Sequence, residues 1–472
     1  MFFYGGETYY LAEFLIQRGL GLTYFFAFLV IFNQYVSLVG ENGILPVGKF
    51  VGENSFRDFP SLFFLFNNNL FLRLSALTGL ILSFTTFIGV SELFGSLTSF
   101  FVWTFLWVLL ISFYNTGQRF FSQGKLLIEA GFLAIFLGGM GTASSEIVIW
   151  LFRWLLFRLM FNSGLGKIRG DEKWRNLTAF KFNLETQPFP GPLSWKLYHL
   201  PEIVLKMLTV FGLFSMLIVP FFYFAPQPFA SIAGIITIIY QLGIILSGNY
   251  SWLNTATISI SFSTISDQVI NNILGSSFPP TSIQPYPFEF QAVILAVVIA
   301  GFSINTLLDM IKSHTSEVYY GSIPIVNTYC KFTDIRKERI EYVIQGTRDQ
   351  GSNKQWKNFR YQVSPPKLTE RPKQYSPYNH RLDYQIWNIE KDEDCQEYWF
   401  EKLMKELLKG NEDLLKLFSD NPFPEKGPTQ VRAVKYKYEF TSPETGEKEG
   451  VYWSREKKKV VHEPLKLDNI DV

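Results

Sequence analysis

Residues 19–38 read GLGLTYFFAFLVIFNQYVSL, a run of 20 residues that contains no Asp, Glu, Lys or Arg. About 20 apolar residues in a helix cross the hydrocarbon core of a bilayer, where the backbone must satisfy its own hydrogen bonds. The run is therefore predicted to be a membrane-spanning helix. Five further apolar runs lead to the same prediction, at residues 70–90, 97–113, 203–224, 229–246 and 290–311.

Two other apolar stretches are less regular. Residues 126–137 and 147–161 are each short for a complete span, and a segment rich in glycine joins them, so two short or tilted helices are expected. Residues 252–265 are apolar but rich in Ser and Thr, and we expect a short buried helix or a continuation of the preceding one. The prediction is thus six to nine membrane helices. Lys and Arg do not accumulate in alternate loops, so the positive-inside rule assigns no orientation.

The charged residues concentrate in the last third of the chain. Of the 84 Asp, Glu, Lys and Arg residues, 54 lie after position 311. This predicts a multi-pass transmembrane domain at residues 1–311 and a soluble domain at 312–472. In the latter, residues 359–363 and 434–440 alternate apolar with polar side chains, and residues 398–418 place apolar side chains at helical spacing. The predicted fold is a polytopic α-helical membrane protein with a C-terminal soluble α+β domain of antiparallel strands and at least one amphipathic helix.

Composition and motifs argue against several function classes. Acidic and basic residues are nearly balanced, at 41 and 43, so no nucleic-acid partner is expected. The sequence contains no His-Glu-x-x-His, P-loop, Gly-x-Ser-x-Gly, Cys-x-x-Cys or Rossmann motif, and neither a cofactor nor a metal is predicted. Cys330 and Cys395 are the two cysteines. They could form a disulfide in an oxidising compartment or remain buried thiols.

Three ionisable residues lie in sequence predicted to be at membrane depth, where a charge is costly unless it is paired or solvated. They are Glu129, Arg153 and Arg158. A buried contact between Glu129 and an arginine of a neighbouring helix would stabilise both charges. The alternative is that these residues line a cavity used for binding or for chemistry.

The densest polar segment follows the apolar run that ends at residue 161. A long ordered polar loop is predicted at 162–201, and long ordered loops in compact domains are commonly functional. Lys167 and Asp171 are four residues apart and could pair on one face of a helical turn. The single His of this segment is interpreted as a structural hydrogen-bonding residue. The candidate binding or structural residues here are Lys167, Arg169, Asp171, Trp174, Glu185, Gln187, Trp195 and His199.

A series of short motifs, in order along nearly the whole chain, resembles the lipase maturation factor family. In the first part they are Gln17-Arg18-Gly19-Leu20-Gly21, Glu41-Asn42-Gly43-Ile44-Leu45-Pro46, the LLIEAGFL segment around Glu129, and RWLLFRLMF at 153–161. Later ones are residues 167–174, ETQP at 185–188, PLSW at 192–195, SGNY at 247–250, PIVN at 324–327, RLDYQIW at 381–387 and NPFP at 421–424.

This resemblance implies a membrane-bound factor for the folding, assembly or maturation of secreted proteins, namely lipases. The implied partners are a secreted client protein and the lipid bilayer, and the implied action is non-catalytic, through loops and the soluble domain. Eukaryotic members reside in the endoplasmic reticulum membrane, and bacterial relatives would lie in the inner membrane. The C-terminal domain would then lie in the lumen or the periplasm.

A more distant similarity offers an enzymatic alternative. Gly164, Lys167 and Trp174 are spaced as in a segment of the horizontally transferred transmembrane helix superfamily, which includes the vitamin K-dependent γ-glutamyl carboxylase. That resemblance implies a membrane-embedded enzyme with Lys167 as a general base on a lipid or polypeptide substrate. Glu129, with one of the two arginines, is the other candidate for such chemistry.

Overall fold

The computed structural model describes residues 8–121, 124–139, 141–142, 145–275, 286–312, 323–330, 333–351, 353–364, 367–389 and 393–466. Within these residues, seven helices are long and apolar enough to cross a membrane: Tyr10–Val39, Asn69–Ile88, Ser96–Thr116, Glu146–Gly170, Glu202–Phe224, Phe229–Ser247 and Glu289–Met310. The six spans predicted from the long apolar runs are all among them. The prediction of a polytopic helical membrane protein is confirmed.

The elements of the membrane body, in chain order, are helices α1 (Tyr10–Val39), α2 (Val47–Glu53), α3 (Asn69–Ile88), α4 (Val90–Leu93), α5 (Ser96–Thr116), α6 (Gln118–Phe121), α7 (Lys125–Ala134), α8 (Glu146–Gly170), α9 (Glu172–Arg175), α10 (Ala179–Thr186), α11 (Ser194–Tyr198), α12 (Glu202–Leu217), α13 (Phe229–Ser247), α14 (Leu253–Ser261), α15 (Asp267–Leu274) and α16 (Glu289–Ile311). Short 3-10 helices lie at Leu62–Phe64, Val219–Phe224 and Phe262–Thr264.

The elements of the C-terminal part are strands β1 (Arg339–Thr347), β2 (Lys357–Asn358) and β3 (Arg360–Tyr361), helices α17 (Arg381–Asn388), α18 (Glu393–Leu408) and α19 (Glu412–Leu415), strands β4 (Phe418–Asp420) and β5 (Gln430–Phe440), helix α20 (Pro443–Lys448) and strand β6 (Trp453–Lys466).

Two short helices, α7 and α14, lie inside the bundle of long ones. Phe132 is the one side chain of α7 that is not buried. Helix α14 contacts α1, α8 and α13, so residues 252–265 form a short buried helix, which is one of the two expectations for this stretch. Neither helix is long enough to span a bilayer by itself, and the longer helices around them separate them from lipid.

Helix α8 is longer than the sequence suggested. It was expected to end near residue 161, yet it runs for 25 residues to Gly170 and carries Lys167 and Arg169 on its last turns. The helix continues because the C-terminal part covers these turns: a Cβ atom on Gly166 would lie 2.9 Å from Thr333 Cγ2. The predicted loop at 162–201 is therefore helical over much of its length, in α8, α9, α10 and α11.

Helices α1 and α3 approach each other closely at Gly21. A Cβ atom on this residue would lie 2.7 Å from the backbone nitrogen of Phe87. Small residues permit such contacts in membrane bundles, where close packing drives helix association. Helix α1 has 30 residues, which is about 45 Å, so it is longer than a hydrocarbon core of about 30 Å. Near its C-terminal end, Gln34 Nε2 donates to the Asn379 carbonyl at 2.8 Å.

The C-terminal part is built on a four-stranded antiparallel sheet in the order β2-β1-β5-β6. Every residue of the inner strand β1 is buried. The amphipathic helix predicted within residues 398–418 is α18, which contacts β5 and buries Phe400, Leu403, Met404, Leu407 and Leu408. The predicted α+β fold with antiparallel strands is confirmed. The strand that the alternation at 359–363 suggested is limited to β3 at Arg360–Tyr361, so Phe359 and Val363 lie outside it.

Candidate functional site

Glu129 and Arg158 form an ion pair inside the membrane body. Glu129 lies on α7 and Arg158 on α8, and both side chains are buried. Arg158 donates from Nη2 to Glu129 Oε1. Oε2 of the carboxylate accepts from the backbone N–H of Asn327 at 3.1 Å, from Asn327 Nδ2 at 3.0 Å and from the Tyr329 hydroxyl at 2.7 Å. The expected contact between a buried Glu and an Arg of a neighbouring helix is thus confirmed for this pair.

Arg153 has a different environment. Its Nε donates to the Ser263 carbonyl at 2.8 Å and its Nη1 to the Tyr223 carbonyl at 3.1 Å. The guanidinium carbon also lies 4.9 Å from the ring centre of Tyr9. Both carbonyls belong to 3-10 helices, whose last carbonyl groups lack partners within the helix. Arg153 therefore stabilises turns within the bundle and does not share the carboxylate of Glu129.

The other partners of Glu129, Asn327 and Tyr329, come from a segment that follows the last long helix. Val326, Asn327, Thr328, Tyr329 and Cys330 are all buried, and the Asn327 carbonyl accepts from Arg158 Nη1 at 3.0 Å. Charge density predicts residues 326–330 to be part of the soluble domain. All five are buried, and the side chains of Asn327 and Tyr329 donate to Glu129 of the membrane body. The side chain of Cys395 lies outside the described residues, so the alternatives for the two cysteines stay predictions.

A second buried polar cluster joins the region after α10 to the sheet. Arg339, at the start of β1, donates to the carbonyls of Glu185 at 3.0 Å, Gln187 at 2.6 Å and Pro188 at 3.2 Å. It also forms an ion pair with Glu341 at 2.5 Å, with both side chains buried. One guanidinium thus bonds several backbone carbonyls and a carboxylate across the boundary between the two parts of the chain.

Glu185 and Gln187 use their side chains in the same cluster. Glu185 Oε1 accepts from the backbone N–H of Phe440 at 2.7 Å, and burial raises the pKa of this carboxyl above its usual range. Gln187 Nε2 donates to the Ser247 carbonyl at 2.8 Å and to Ser194 Oγ at 3.1 Å. Both residues predicted from the polar segment therefore hold neighbouring elements together.

Trp195 and His199 lie at the edge of this cluster. Trp195 packs in a buried group with Tyr438, Phe440 and Trp453, and Gly446 lies so close to its ring that a Cβ atom there would clash with it. His199 Nδ1 lies 2.7 Å from the Trp195 carbonyl oxygen. The histidine makes a local helix-end contact, which agrees with its interpretation as a structural hydrogen-bonding residue.

The remaining predicted residues lie around the end of α8. Arg169 Nη1 donates to the Met310 carbonyl at 2.5 Å, near the end of α16. Asp171 accepts from the backbone of Lys173 at 2.9 Å and of Ile335 at 3.0 Å and forms an ion pair with Lys173 at 2.8 Å. The sequence suggested Lys167 as the partner of Asp171. Lys167 lies in the last turns of α8, whereas Asp171 caps the start of α9 and pairs with Lys173. Trp174 Nε1 donates to the Thr333 carbonyl at 3.1 Å.

Lys167 lines a cavity of about 130 Å³ between α8, α12, α13 and α14. Its Nζ lies 5.3 Å from the ring centre of Trp174, which is also at the cavity wall. The rest of the wall is a mixture of apolar and polar side chains, and the polar ones include Asn183, Tyr240, Gln241, Tyr250 and Asn254. Lys167 is thus the one candidate residue with an ionisable side chain at this cavity, whereas Glu129 lies in the ion-pair cluster.

Three residues that organise the junction were missed in the sequence: Asn249, Asn327 and Arg339. Asn249 Nδ2 donates to the Lys373 carbonyl at 2.8 Å, and its Oδ1 accepts from the backbone N–H groups of Tyr375 and Ser376 at 2.6 and 2.8 Å. Asn249 and Asn327 lie in motifs 247–250 and 324–327, so the family resemblance contained a signal for them. No sequence signal indicated the role of Arg339, because the residues whose carbonyls it bonds lie 151 to 154 positions earlier in the chain.

Comparison with known proteins covers both parts of the chain. The sequence-family model of the lipase maturation factor transmembrane domain matches residues 11–272. The family model of the lipase maturation factor C-terminal domain matches residues 325–463. No solved structure matches the chain.

The alignments with individual relatives extend over nearly the full length of this chain. The chain is 32% identical to lipase maturation factor 1 of Homo sapiens, over 98% of this chain and 89% of the human protein. It is 30% identical to lipase maturation factor 1 of Bos taurus, over 98% of this chain and 90% of that protein. It is 26% identical to lipase maturation factor 2 of Xenopus laevis, over 93% of this chain and 80% of that protein. Because these matches extend through the membrane body and the sheet alike, the chain belongs to the lipase maturation factor family.

Proposed function

We propose that this chain is a membrane-embedded maturation factor for secreted lipases and that it acts on its client without catalysing a reaction. The observation that carries the proposal is the similarity to lipase maturation factors over nearly the whole chain. The site geometry agrees with a non-catalytic role. Glu129, Arg158, Glu185 and Gln187 all bond inward, where they join elements of the scaffold.

The edge of the sheet is the surface that we assign to the client. Strand β6 pairs with β5 on one side and is last in the sheet order, and residues 454–459 are exposed. An exposed edge strand can pair with an extended segment of another chain. Lys457, Lys458 and Lys459 lie on this strand, and lysines on an edge disfavour pairing between identical edges. This arrangement suits transient contact with an incompletely folded chain.

The proposal also assigns a side of the membrane to the C-terminal part. A secreted client folds in the endoplasmic reticulum lumen of a eukaryote or in the bacterial periplasm. The C-terminal sheet therefore faces the lumen if the source is eukaryotic and the periplasm if it is bacterial.

Cells that lack this chain are expected to secrete lipases with a several-fold lower specific activity. The reason is that client molecules which fail to mature are still made but do not reach the active state. The measurement is enzymatic activity per mass of each secreted lipase, in cells with and without the gene, and again after the gene is restored. A secreted protein that is not a lipase serves as the control.

Normal specific activity of every secreted lipase in the deleted cells would contradict the proposal. A C-terminal part on the cytosolic side would contradict it as well. Orientation is read by labelling a Ser454→Cys variant with a membrane-impermeant reagent before and after the membrane is opened, because position 454 is exposed whereas Cys330 is buried.

A second candidate function is a membrane enzyme that uses Lys167 as a general base on a lipid or polypeptide. The observation that favours it is the position of Lys167 at the wall of a cavity. A general base contributes about 10²–10⁴-fold to a reaction rate, so the loss of a catalytic lysine has a large effect.

The variant Lys167→Met is expected to restore lipase activity as well as the native chain does, because the proposed function needs no base. The measurement is complementation of the deleted cells at matched protein levels. The control is Lys206→Met, which removes a partly exposed lysine that pairs with Glu202. A loss of about a hundredfold or more in Lys167→Met alone would favour the enzyme.

A further inference from the structure

Three polar side chains at the wall of the cavity beside Lys167, those of Tyr240, Gln241 and Asn254, carry an atom with a weak hydrogen-bond partner or with none among the described residues. The Tyr240 hydroxyl donates to Met216 Sδ at 3.6 Å, and Gln241 Nε2 donates to Met160 Sδ at 3.5 Å. Thioether sulfur is a weak acceptor. Asn254 Nδ2 donates to Gln241 Oε1 at 2.7 Å, but Asn254 Oδ1 is buried and has no hydrogen-bond partner among the described residues.

Buried polar atoms are nearly always hydrogen-bonded, and leaving one unsatisfied costs about 1–3 kcal/mol. Two donors with sulfur partners and one acceptor without a partner therefore line the same small space. A bound molecule that carries both acceptor oxygens and a hydroxyl group would satisfy all three.

The charge of Lys167 at the cavity wall determines which sign of charge the bound molecule should carry. Lys167 is the one lining residue with a basic or acidic side chain, and its side chain is buried. An anionic oxygen near a buried ammonium group forms a charge-assisted hydrogen bond, which is stronger than a neutral one. The end of the ligand that enters the cavity is therefore anionic.

The cavity lies beside the lipid-facing surface of α12. Leu208 lines the cavity and is 36% exposed, next to the exposed side chains of Met207 and Phe211 on the same helix. In a membrane-spanning segment such exposed apolar side chains face acyl chains. The route into the cavity consequently starts in the bilayer.

The size of the cavity limits what enters. About 130 Å³ is close to the roughly 150 Å³ of an apolar cavity that binds benzene. A complete lipid does not fit, whereas a carboxylate with its first methylene groups or a phosphate head does. The remaining acyl chain would lie along α12, outside the cavity.

We propose that this cavity is a binding site for the anionic head of a membrane lipid. The carboxylate or phosphate oxygens accept from Lys167, Tyr240 and Gln241. A singly protonated phosphate also carries a P–OH group that donates to Asn254 Oδ1, whereas a carboxylate leaves that oxygen without a donor. The site is independent of the proposed client surface on β6, so failure of either proposal leaves the other standing.

Native mass spectrometry of the purified full chain tests this site. The chain, in a mild detergent, is mixed with oleate, with dioleoyl phosphatidate or with dioleoyl phosphatidylcholine, and the lipid retained per chain is measured. We expect retention of an anionic lipid over phosphatidylcholine. We expect Lys167→Met to reduce that retention by about tenfold, and Lys206→Met to leave it unchanged.

A second variant is designed to block access to the cavity from the bilayer while Lys167 keeps its charge. Leu208→Trp places a larger side chain at a partly exposed position of the cavity wall, and we expect it to reduce retention of the anionic lipid as well. The matched control is Met207→Trp, at a neighbouring position that is 57% exposed and does not line the cavity. If Lys167→Met does not fold, the comparison of Leu208→Trp with Met207→Trp still shows whether the anionic lipid binds in this cavity.

The lipids distinguish the source of the anionic group. Retention of oleate alone assigns a fatty-acid carboxylate, retention of phosphatidate alone assigns a phospholipid phosphate, and retention of both assigns the shared anionic head. The proposal is overturned if neither is retained above phosphatidylcholine, or if folded Lys167→Met and Leu208→Trp both retain the anionic lipid as the native chain does.

Discussion

Replacing Glu129 with Ala is expected to prevent accumulation of the folded chain. Glu129 accepts from Arg158, Asn327 and Tyr329 within the bundle, and its side chain is fully buried. Its removal leaves the Arg158 guanidinium without its counter-ion in a low-dielectric interior. Breaking a buried ion pair from one side costs about 3–5 kcal/mol. Total stabilities are about 5–15 kcal/mol, so a large share of the folded population is lost.

The measurement is the yield of monodisperse protein by size-exclusion chromatography, together with the thermal unfolding midpoint of whatever is recovered. Glu202→Ala is the control, because Glu202 is exposed and its ion pair with Lys206 is at the surface. The double variant with Glu129→Met and Arg158→Met is expected to recover part of the loss, since it leaves no lone charge. Native yield and melting for Glu129→Ala would show that the pair does not stabilise the body.

The substitution Arg339→Met is expected to loosen the C-terminal sheet from the membrane body. Arg339 bonds the carbonyls of Glu185, Gln187 and Pro188 and pairs with Glu341. Methionine fills a similar volume but donates no hydrogen bond. The variant leaves these acceptors and a buried carboxylate without their donor, which costs about 3–5 kcal/mol for the broken ion pair.

Limited trypsin digestion in lipid nanodiscs measures this loosening as the rate at which C-terminal fragments are released. Arg455→Met is the control, because Arg455 is exposed on β6 and contacts the ring of Tyr436. Adding Glu341→Gln to Arg339→Met is expected to slow the release, since it removes the lone charge. Equal digestion rates for Arg339→Met and the native chain would contradict the role assigned to this arginine.

The pH dependence of the Arg339→Met variant follows from Glu341. Burial already raises the pKa of this carboxyl in the native chain, although Arg339 opposes the shift. Without the arginine the folded state binds a proton more tightly than the unfolded state. A raised pKa in the folded state contributes stability that is lost as the pH rises through it. The defect in digestion is therefore expected to grow as the pH increases above the ordinary range of a glutamate.

The candidate residues show where prediction from sequence succeeds and where it ends. A charge in apolar sequence needs a partner, so Glu129 and an arginine of the next helix could be expected to meet. Which arginine it would be was not predictable: Arg158 pairs with Glu129, whereas Arg153 bonds carbonyls of Ser263 and Tyr223. The end of α8 was also misplaced, because polar residues after an apolar run usually mark solvent, whereas here Asn162, Ser163 and Lys167 are buried against protein.

The amino-acid sequence by itself determined which segments form helices long and apolar enough to cross a membrane, that charged residues concentrate in the last third of the chain, and which face of α18 is buried. These properties depend on composition and periodicity over about 20 residues, and such local information is present in any window of the chain. Only the tertiary structure decided how the polar residues are used. Glu129 and Asn327 are 198 residues apart, and Gln187 and Arg339 are 152 apart. A hydrogen bond requires its two atoms within about 3 Å, and no local pattern specifies which distant acceptor the folded chain brings there.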